Sequence, residues 1–362
     1  MTALLTWPAL LGKLLQKTDL SRVETSWVMQ QIMNGEASEG QMGAFMMGLR
    51  AKGETVDEIS GLVDVMLERS VLLTTGNDAL DIVGTGGDLV GTVNVSSMAS
   101  ILSAAAGIPV LKHGSRSASG KTGSSEMLEV LGVRLDLSPE QVTAVFKQAG
   151  ITFFFAPVFH PAMRFVAPVR KALGVPTTFN FLGPLANPAQ PVATSLGVAN
   201  ATIAPLVAAE MAARGRTALV FRGDDGLDEL TTTAKSQIWQ VSGGVVKEFS
   251  LDPRDFGIKL VEVDILVGGD AHFNAQVARD VFSGQPSSNE PDYVAKVSAA
   301  TDIVKLNAAA GVVAYQLARD ASRADVDLNL RFEDALATVD AALKSGAAQA
   351  KLTEWINASA AV

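Results

Sequence analysis

The sequence predicts an α/β protein in two parts: a small all-helical N-terminal domain, and a larger α/β domain with a central, mostly parallel sheet flanked by helices. Three observations lead there. Over the first 70 or so residues, apolar side chains recur at helical spacing. From about residue 78, short apolar runs alternate with alanine-rich stretches, the texture of parallel strands connected through helices. A chain of 362 residues, 48% hydrophobic and 19% charged, has an ordinary globular composition and the length for two domains.

Trp7, Leu10, Leu11, Leu14 and Leu15 share one face of a first helix. Its lysines follow the apolar part instead of preceding it, the reverse of a secretory signal. Val23, Trp27, Val28 and Ile32 form a second stripe that stops at Asn34-Gly35, and Met42, Phe45, Met46 and Leu49 form a third. After Lys52-Gly53, Thr55 and Glu58 read as a capping box opening a helix along Ile59, Leu62, Val63, Met66 and Leu67. The methionines on these faces are core filler. These residues make a helical domain over 1–76, and 77–362 the α/β domain. Within the latter, Leu80–Val83, Ile108–Leu111, Ile151–Phe155, Leu196–Val198 and Ala218–Phe221 read as strands, and Ser97–Ala106 and Ser124–Leu131 as helices. Gly268-Gly269 and Gly284–Pro291 read as loops, and Leu306–Arg319 and Phe332–Leu343 as closing helices. No internal repeat is visible.

Composition removes several functions. A net charge of −9 without a Lys/Arg run argues against a nucleic-acid partner. Without cysteine there are no disulfides, thiolate metal sites or thiol nucleophiles, which suits a cytoplasmic protein. No uninterrupted apolar run reaches the roughly 20 residues of a bilayer span, so no membrane partner is expected. The three histidines, at 113, 160 and 272, are too scattered to suggest a metal site.

The chemistry gathers in three short segments. The first, DIVGTGGDLVGTVNVSS from Asp81, nearly fits two phosphate templates and fails both. A dinucleotide fingerprint from Gly84 meets Leu89 where a third glycine belongs, and a Walker A loop meets Thr92 where lysine belongs. Its glycines still allow backbone N–H groups close to an anion, and Asn94, Ser96 and Ser97 precede a helix N-terminus. A plain glycine turn with a serine cap fits this segment alone equally well. The second, KHGSRSASGKTGSSE from Lys112 to Glu126, sets Lys112, Arg116 and Lys121 among hydroxyls and glycines between a strand and a helix. In a parallel sheet the two loops lie at the same edge and suit a ligand with more than one phosphate. The third, RGDDGLDEL, groups Asp224, Asp225, Asp228 and Glu229 after a strand. Beside phosphate loops such carboxylates suit Mg²⁺, which favours one or two carboxylates plus phosphate oxygens.

Together these segments resemble the anthranilate phosphoribosyltransferase family. The resemblance spans nearly the whole chain, from NGEASEGQMGAFMMGLRAKGET through DIVGTGGD, TVNVSS, KHGSRSASGKTGSSE, LEVLGV, FAPVFHPAMRFVAPVRKALG, FNFLGPLANPA and GDDGLDELTTT to KLNAAAGVVAY. It implies transfer of the phosphoribosyl group of phosphoribosyl pyrophosphate to anthranilate in tryptophan biosynthesis, with Mg²⁺, two ions bound with the pyrophosphate substrate. It implies that Gly84, Gly87, Asp88, Thr92, Asn94, Val95, Ser96, Ser97 and Lys112 hold that substrate. The run His113, Gly114, Ser115, Arg116, Ser117, Ala118, Ser119 and Gly120, with Ser124, completes this set. Gly84, His113, Ser115 and Arg170 would face anthranilate, with Arg170 on its carboxylate, and Ser96, Asp228 and Glu229 would hold the metal. It also implies a homodimer through the helical domain, which segments near 165–190 complete.

Two departures fall on the acceptor side. The family's usual His-Gly-Asn-Arg is His113-Gly114-Ser115-Arg116, and its Gly-Ser-Ala-Asp is Gly123-Ser124-Ser125-Glu126. The expectation is retained phosphoribosyl pyrophosphate binding with altered acceptor affinity. A pyrimidine nucleoside phosphorylase-like enzyme, a paralogue with another acceptor and a catalytically idle nucleotide-binding paralogue are the alternatives.

Overall fold

The computed structural model describes residues 5–73, 75–116 and 122–362 and divides into two compact units, Met1–Leu72 with Ala156–Pro188, and Leu73–Phe155 with Ala189–Val362. Along the chain, α1 (Trp7–Leu15), α2 (Arg22–Met33), α3 (Glu39–Lys52) and α4 (Val56–Glu68) belong to the first unit. The second begins with β1 (Leu80–Gly84), α5 (Val95–Ala105), β2 (Val110–Gly114), α6 (Ser124–Leu131), α7 (Pro139–Ala149) and β3 (Ile151–Phe155). The chain returns to the first unit for α8 (Ala156–Phe159), α9 (Ala167–Leu173) and α10 (Phe179–Leu182). It then completes the second with β4 (Ala193–Gly197), α11 (Ala204–Ala213), β5 (Thr217–Gly223), β6 (Ser236–Ser242), β7 (Val245–Leu251), α12 (Ala271–Ser283), α13 (Pro291–Arg319), α14 (Leu328–Lys344) and α15 (Ala347–Ala360).

Caps delimit the helices of the first unit. Ser21 with Glu24, Ser38 with Gln41 and Thr55 with Glu58 each form a reciprocal capping box. Glu58 also accepts Lys52 Nζ at 3.0 Å and Leu20 N at 2.8 Å, so this buried carboxylate ties three segments together. The buried face of α1 is narrower than its pattern suggests. Trp7, Leu10 and Leu14 are buried, but Leu15 is 86% exposed, and on α2 Val23 is 67% exposed.

The second unit is a seven-stranded sheet in the order β3-β2-β1-β4-β5-β6-β7. The first five strands are parallel and the last two antiparallel. The chain steps outward from β1 through β2 to β3, then reverses through β4 to β5. The switch point therefore lies between β1 and β4, the place beyond the carboxyl strand ends where open α/β sheets bind their ligands. There Gly84 and Gly197 end their strands directly opposite one another.

Several elements differ from the sequence reading. β2 starts at Val110 because Pro109 has no N–H for a strand ladder. β4 starts at Ala193, with Ala, Thr and Ser in place of apolar residues, yet all five of its residues are buried. The β6–β7 hairpin turns on Gly243-Gly244, with φ of 58° and 76°, and was not among the expected strands. α13 runs through Pro291–Arg319 instead of starting at Leu306. Its length and composition would suit a bilayer span, but 78% of its most apolar stretch is buried as the core helix of the unit.

Candidate active site

The first glycine loop leaves β1 at Gly84 and enters α5 at Val95. Gly86 and Gly87 carry φ of 67° and 87°, a left-handed pair that only glycine adopts without strain. Asp88 sits within the loop and accepts the Val90 N–H at 3.1 Å. Thr92 pairs with Val267 across an isolated bridge, and Asn94 directly precedes the helix. Val95, Ser96 and Ser97 form its first turn, where backbone N–H groups lack helical partners and attract anions. The Ser97 hydroxyl is buried and has no hydrogen-bond partner among the described residues.

Lys112 lies on β2 and is only 1% exposed. Its ammonium donates to Ile82 O at 2.6 Å and approaches Ser96 Oγ at 3.4 Å. Burial pulls its pKa down to about 8, against the attraction of Asp81 and Glu229. His113 is the next residue on the strand and so projects from the opposite face of the sheet. It is buried, and its backbone N–H donates to Asp81 Oδ1 at 3.1 Å. Lys112, not His113, therefore joins the acidic groups. Beyond Gly114, the Ser115 carbonyl accepts the Ser124 hydroxyl at 3.3 Å. Arg116 is paired with Glu129 at 3.1 Å and lies over the Phe155 ring, directed toward α6 and β3. Ser117, Ala118, Ser119 and Gly120 lie outside the described residues. At the entrance to α6, Glu126 caps the Gly123 N–H at 2.8 Å.

The acidic turn divides into carboxylates that brace the turn and carboxylates buried against the first loop. Asp225 accepts Thr231 Oγ1 at 2.6 Å, Leu227 N at 3.1 Å and the Thr233 hydroxyl, and so shapes the turn. Asp224 is exposed. Asp228 and Glu229 are each 8% exposed and reach the first loop. Asp228 Oδ2 accepts Gly86 N at 2.6 Å. Burial, then the neighbouring Asp88 charge, pushes the Asp228 pKa up to about 7. Burial and Asp228 hold Glu229 well above the ordinary carboxylate range, against the pull of Lys112 and the Ser96 backbone.

Two glycines permit this arrangement. A Cβ on Gly84 would lie 2.2 Å from Asp228 Oδ2, and one on Gly197 only 1.7 Å from Asp228 O. The acidic turn thus rests directly on the switch point between β1 and β4. From the core helix, Asn307 donates to Leu230 O at 2.8 Å and accepts Leu230 N at 2.9 Å, fixing the residue after Glu229. Asn307 and Asp81 were not singled out in the sequence. A lone asparagine inside the apolar pattern of KLNAAAG was the available signal for the former.

The oxygen donors fit magnesium. Asp228, Glu229 and the Ser96 hydroxyl are hard ligands, and two buried carboxylates with raised pKa values favour a cation beside them. Among the described residues, no group of three or more His, Cys, Asp or Glu side chains forms a metal cage. Mg²⁺ takes one or two carboxylates and completes its shell with phosphate oxygens and water, a demand that the Asp228-Glu229 pair with the Ser96 hydroxyl fits. Arg170 lies on α9 of the first unit and is half-buried, and burial lowers its pKa.

A helical unit, a mostly parallel sheet and an acidic turn over glycine loops define a class, and both parts match it. Residues 8–70 match the helical bundle domain of a glycosyl transferase family, and residues 76–349 its a/b domain. An anthranilate phosphoribosyltransferase of Leifsonia xyli is 50% identical over 353 residues, 98% of each chain. One from Streptomyces griseus is 49% identical over 98% of this chain and 95% of its own. The chain belongs to the anthranilate phosphoribosyltransferase family. Among solved structures, the Thermus thermophilus enzyme superposes with a TM-score of 0.84 at 35% identity, covering 96% of this chain and 98% of that one. The Saccharomyces cerevisiae enzyme in complex with phosphoribosyl pyrophosphate and Mg gives 0.84 at 25% identity, covering 98% of both.

Proposed function

We propose that the chain transfers the 5-phosphoribosyl group of phosphoribosyl pyrophosphate to anthranilate, releasing pyrophosphate, as a step of tryptophan biosynthesis. The observation that carries this reading is the convergence of the buried Asp228-Glu229 pair with the Gly86 N–H, the start of α5 and buried Lys112 at the switch point of the sheet. The anthranilate nitrogen attacks the anomeric carbon while that carbon's bond to the pyrophosphate oxygen breaks. The amine then loses a proton. No enzyme nucleophile is required, and the demand falls on positive charge at the leaving group. Lys112 and the backbone N–H groups of Gly87 and Ser97 supply it, since those of Gly86, Val95 and Ser96 already donate to Asp228, Val93 and Glu229. Asp228, Glu229 and Ser96 would hold Mg²⁺, which would supply electrostatic stabilisation of the departing pyrophosphate.

The remaining first-loop residues, Gly84, Gly87, Asp88, Thr92 and Asn94, and the second loop from His113 to Gly120 with Ser124, are assigned to phosphoribosyl pyrophosphate. Gly84, His113, Ser115 and Arg170 are assigned to anthranilate. We take residues 1–76 with the segments near 165–190 as the helical domain, 77–362 as the α/β domain, and two Mg²⁺ per site. A cytoplasmic homodimer through the helical domain completes the reading, without nucleic-acid or membrane partners. Exposed Leu15, Val23 and Met47 support that pairing.

The test follows loss of anthranilate fluorescence with phosphoribosyl pyrophosphate and Mg²⁺. The wild-type chain turns over, and Asp228→Ala/Glu229→Ala loses most activity while remaining folded. Full turnover by that variant overturns the metal assignment. Absence of magnesium-dependent phosphoribosyl pyrophosphate binding by the wild type overturns the reading itself.

A further inference from the structure

The segment from Ile265 to Asn274 has no role in the assignments above, yet it is stitched to both anion loops. Val93 N donates to Leu266 O at 3.0 Å and Gly268 N donates to Gly91 O at 2.9 Å, so residues 266–268 run beside the exit of the first loop. Lys296 Nζ holds this segment by donating to Ile265 O at 2.7 Å and Val267 O at 2.6 Å. At its end stands Asn274, 1% exposed on the first turns of α12.

The Asn274 amide closes a ring of four hydrogen bonds. Gly269 N donates to Asn274 Oδ1 at 2.8 Å, and Asn274 Nδ2 donates to Asn94 Oδ1 at 2.9 Å. Asn94 Nδ2 donates to Thr122 O at 3.3 Å, and Thr122 Oγ1 donates back to Gly269 O at 3.0 Å. Every donor faces an acceptor in one sense around the ring. Turning either amide over would set nitrogen against a donor, so the network fixes both orientations. Asn94 immediately precedes α5, and Thr122 stands two residues before α6. The ring therefore sets the spacing between the two helix entrances that flank the proposed anion site. The 268 position must stay small for this, since a Cβ there would lie 2.6 Å from Asn274 Oδ1.

We propose that Asn274 is a positioning residue for phosphoribosyl pyrophosphate, acting through this ring to hold the entrances of α5 and α6 at one fixed separation. This rests on the reading of the site given above. A helix start that drifts loses its aim at phosphate oxygens, whereas none of the residues assigned to anthranilate, Gly84, His113, Ser115 and Arg170, is a member of the ring.

The experiment measures KM for each substrate, kcat and the thermal midpoint for the wild type, Asn274→Ala, Thr122→Val and the double variant. Breaking a buried hydrogen-bonded network is expected to raise KM for phosphoribosyl pyrophosphate about tenfold in Asn274→Ala, with KM for anthranilate within about twofold of wild type. Thr122→Val opens the ring at one link and gives a smaller rise. If the ring acts as a unit, the double variant is no worse than Asn274→Ala. A lowered thermal midpoint with both KM values unchanged makes Asn274 merely structural and overturns the proposal, as do independent, additive effects of the two substitutions. Should Asn274→Ala not fold, Thr122→Val decides: an unchanged KM for phosphoribosyl pyrophosphate overturns it. A wild type that fails to bind phosphoribosyl pyrophosphate with Mg²⁺ refutes the underlying function instead.

Discussion

Gly197→Ala tests whether the acidic turn rests on the strand ends as closely as the geometry requires. The added methyl carbon would sit 1.7 Å from Asp228 O and 2.4 Å from its carbonyl carbon. Carbon and oxygen rarely approach closer than about 3.3 Å, so the Asp228 peptide must retreat by roughly 1.6 Å. It cannot do so alone, because Asn307 grips Leu230 on one side and Asp225 holds Leu227 N on the other. Overpacking of this kind costs about 1–3 kcal/mol of stability. Misplacing a metal-binding carboxylate by more than an ångström lowers kcat/KM for phosphoribosyl pyrophosphate on the order of 10²-fold. Gly84→Ala should do less. Its Cβ meets the Asp228 carboxylate, which can rotate at the expense of the 2.6 Å bond from Gly86 N. Gly12→Ala, on α1 with nothing within 4 Å of the added carbon, is the control and should leave turnover unchanged. The assay is initial-rate anthranilate fluorescence over a Mg²⁺ series, beside circular dichroism melts. Wild-type turnover by Gly197→Ala at an unchanged Mg²⁺ midpoint would refute the placement of Asp228 as a working ligand.

Two further predictions concern stability. Burial holds the His160 pKa at about 4, below the unfolded value of about 6.5, so between these values the unfolded chain binds a proton that the folded one does not. Stability is thus full above the unfolded pKa and is lost as pH falls toward the folded one, by roughly 2 kcal/mol between pH 7 and pH 5. Urea titrations at the two pH values measure it, and a His160→Gln variant with the same pH slope would refute the assignment. Arg331 is 1% exposed, and among the described residues its Nε and both terminal guanidinium nitrogens have no hydrogen-bond partner, Asp327 acting on it only electrostatically. Arg331→Met removes that buried charge at similar volume and should stabilise the chain by about 1–4 kcal/mol, read as a raised urea midpoint. A lowered midpoint would mean that the guanidinium contributes an attraction.

The parts of this molecule that were legible in sequence are those whose cause is local. Thr55 and Glu58 announce a helix start because a capping box involves only four residues, and the structure forms it. The glycine loop, Lys112 and the Asp228-Glu229 pair are legible because backbone access and charge are written into short segments. β4 was displaced in the reading because Ala193, Thr194 and Ser195 carry no strand pattern; they are strand because β1 and β5 pair with them on both sides. α12 and the early turns of α13 fell in a stretch broken by glycine, serine and proline. Asn274 and Asn307 were illegible for a different reason. Each is a single helical asparagine with nothing local to mark its role, and its partners lie 180 residues away at Asn94 and 77 away at Leu230.

The charge balance at the switch point explains why the metal and the pyrophosphate substrate belong together. The charges of Asp88 and Asp228 both act on Glu229 there, and Lys112 opposes them. A polyphosphate brought alone to such a cluster would meet net repulsion at short range in a poorly solvated pocket, where charges interact strongly. The carboxylates alone are strained as well, which is why both hold protons so far above the ordinary range. A divalent cation held by Asp228 and Glu229 would relieve both at once, since it would favour their charged forms and supply positive charge to the phosphates. Metal and phosphoribosyl pyrophosphate should therefore bind with positive coupling, each tightening the other by the same factor. Residues that only shape the turn, such as Asp225 and Asn307, set where that coupling acts without taking part in it.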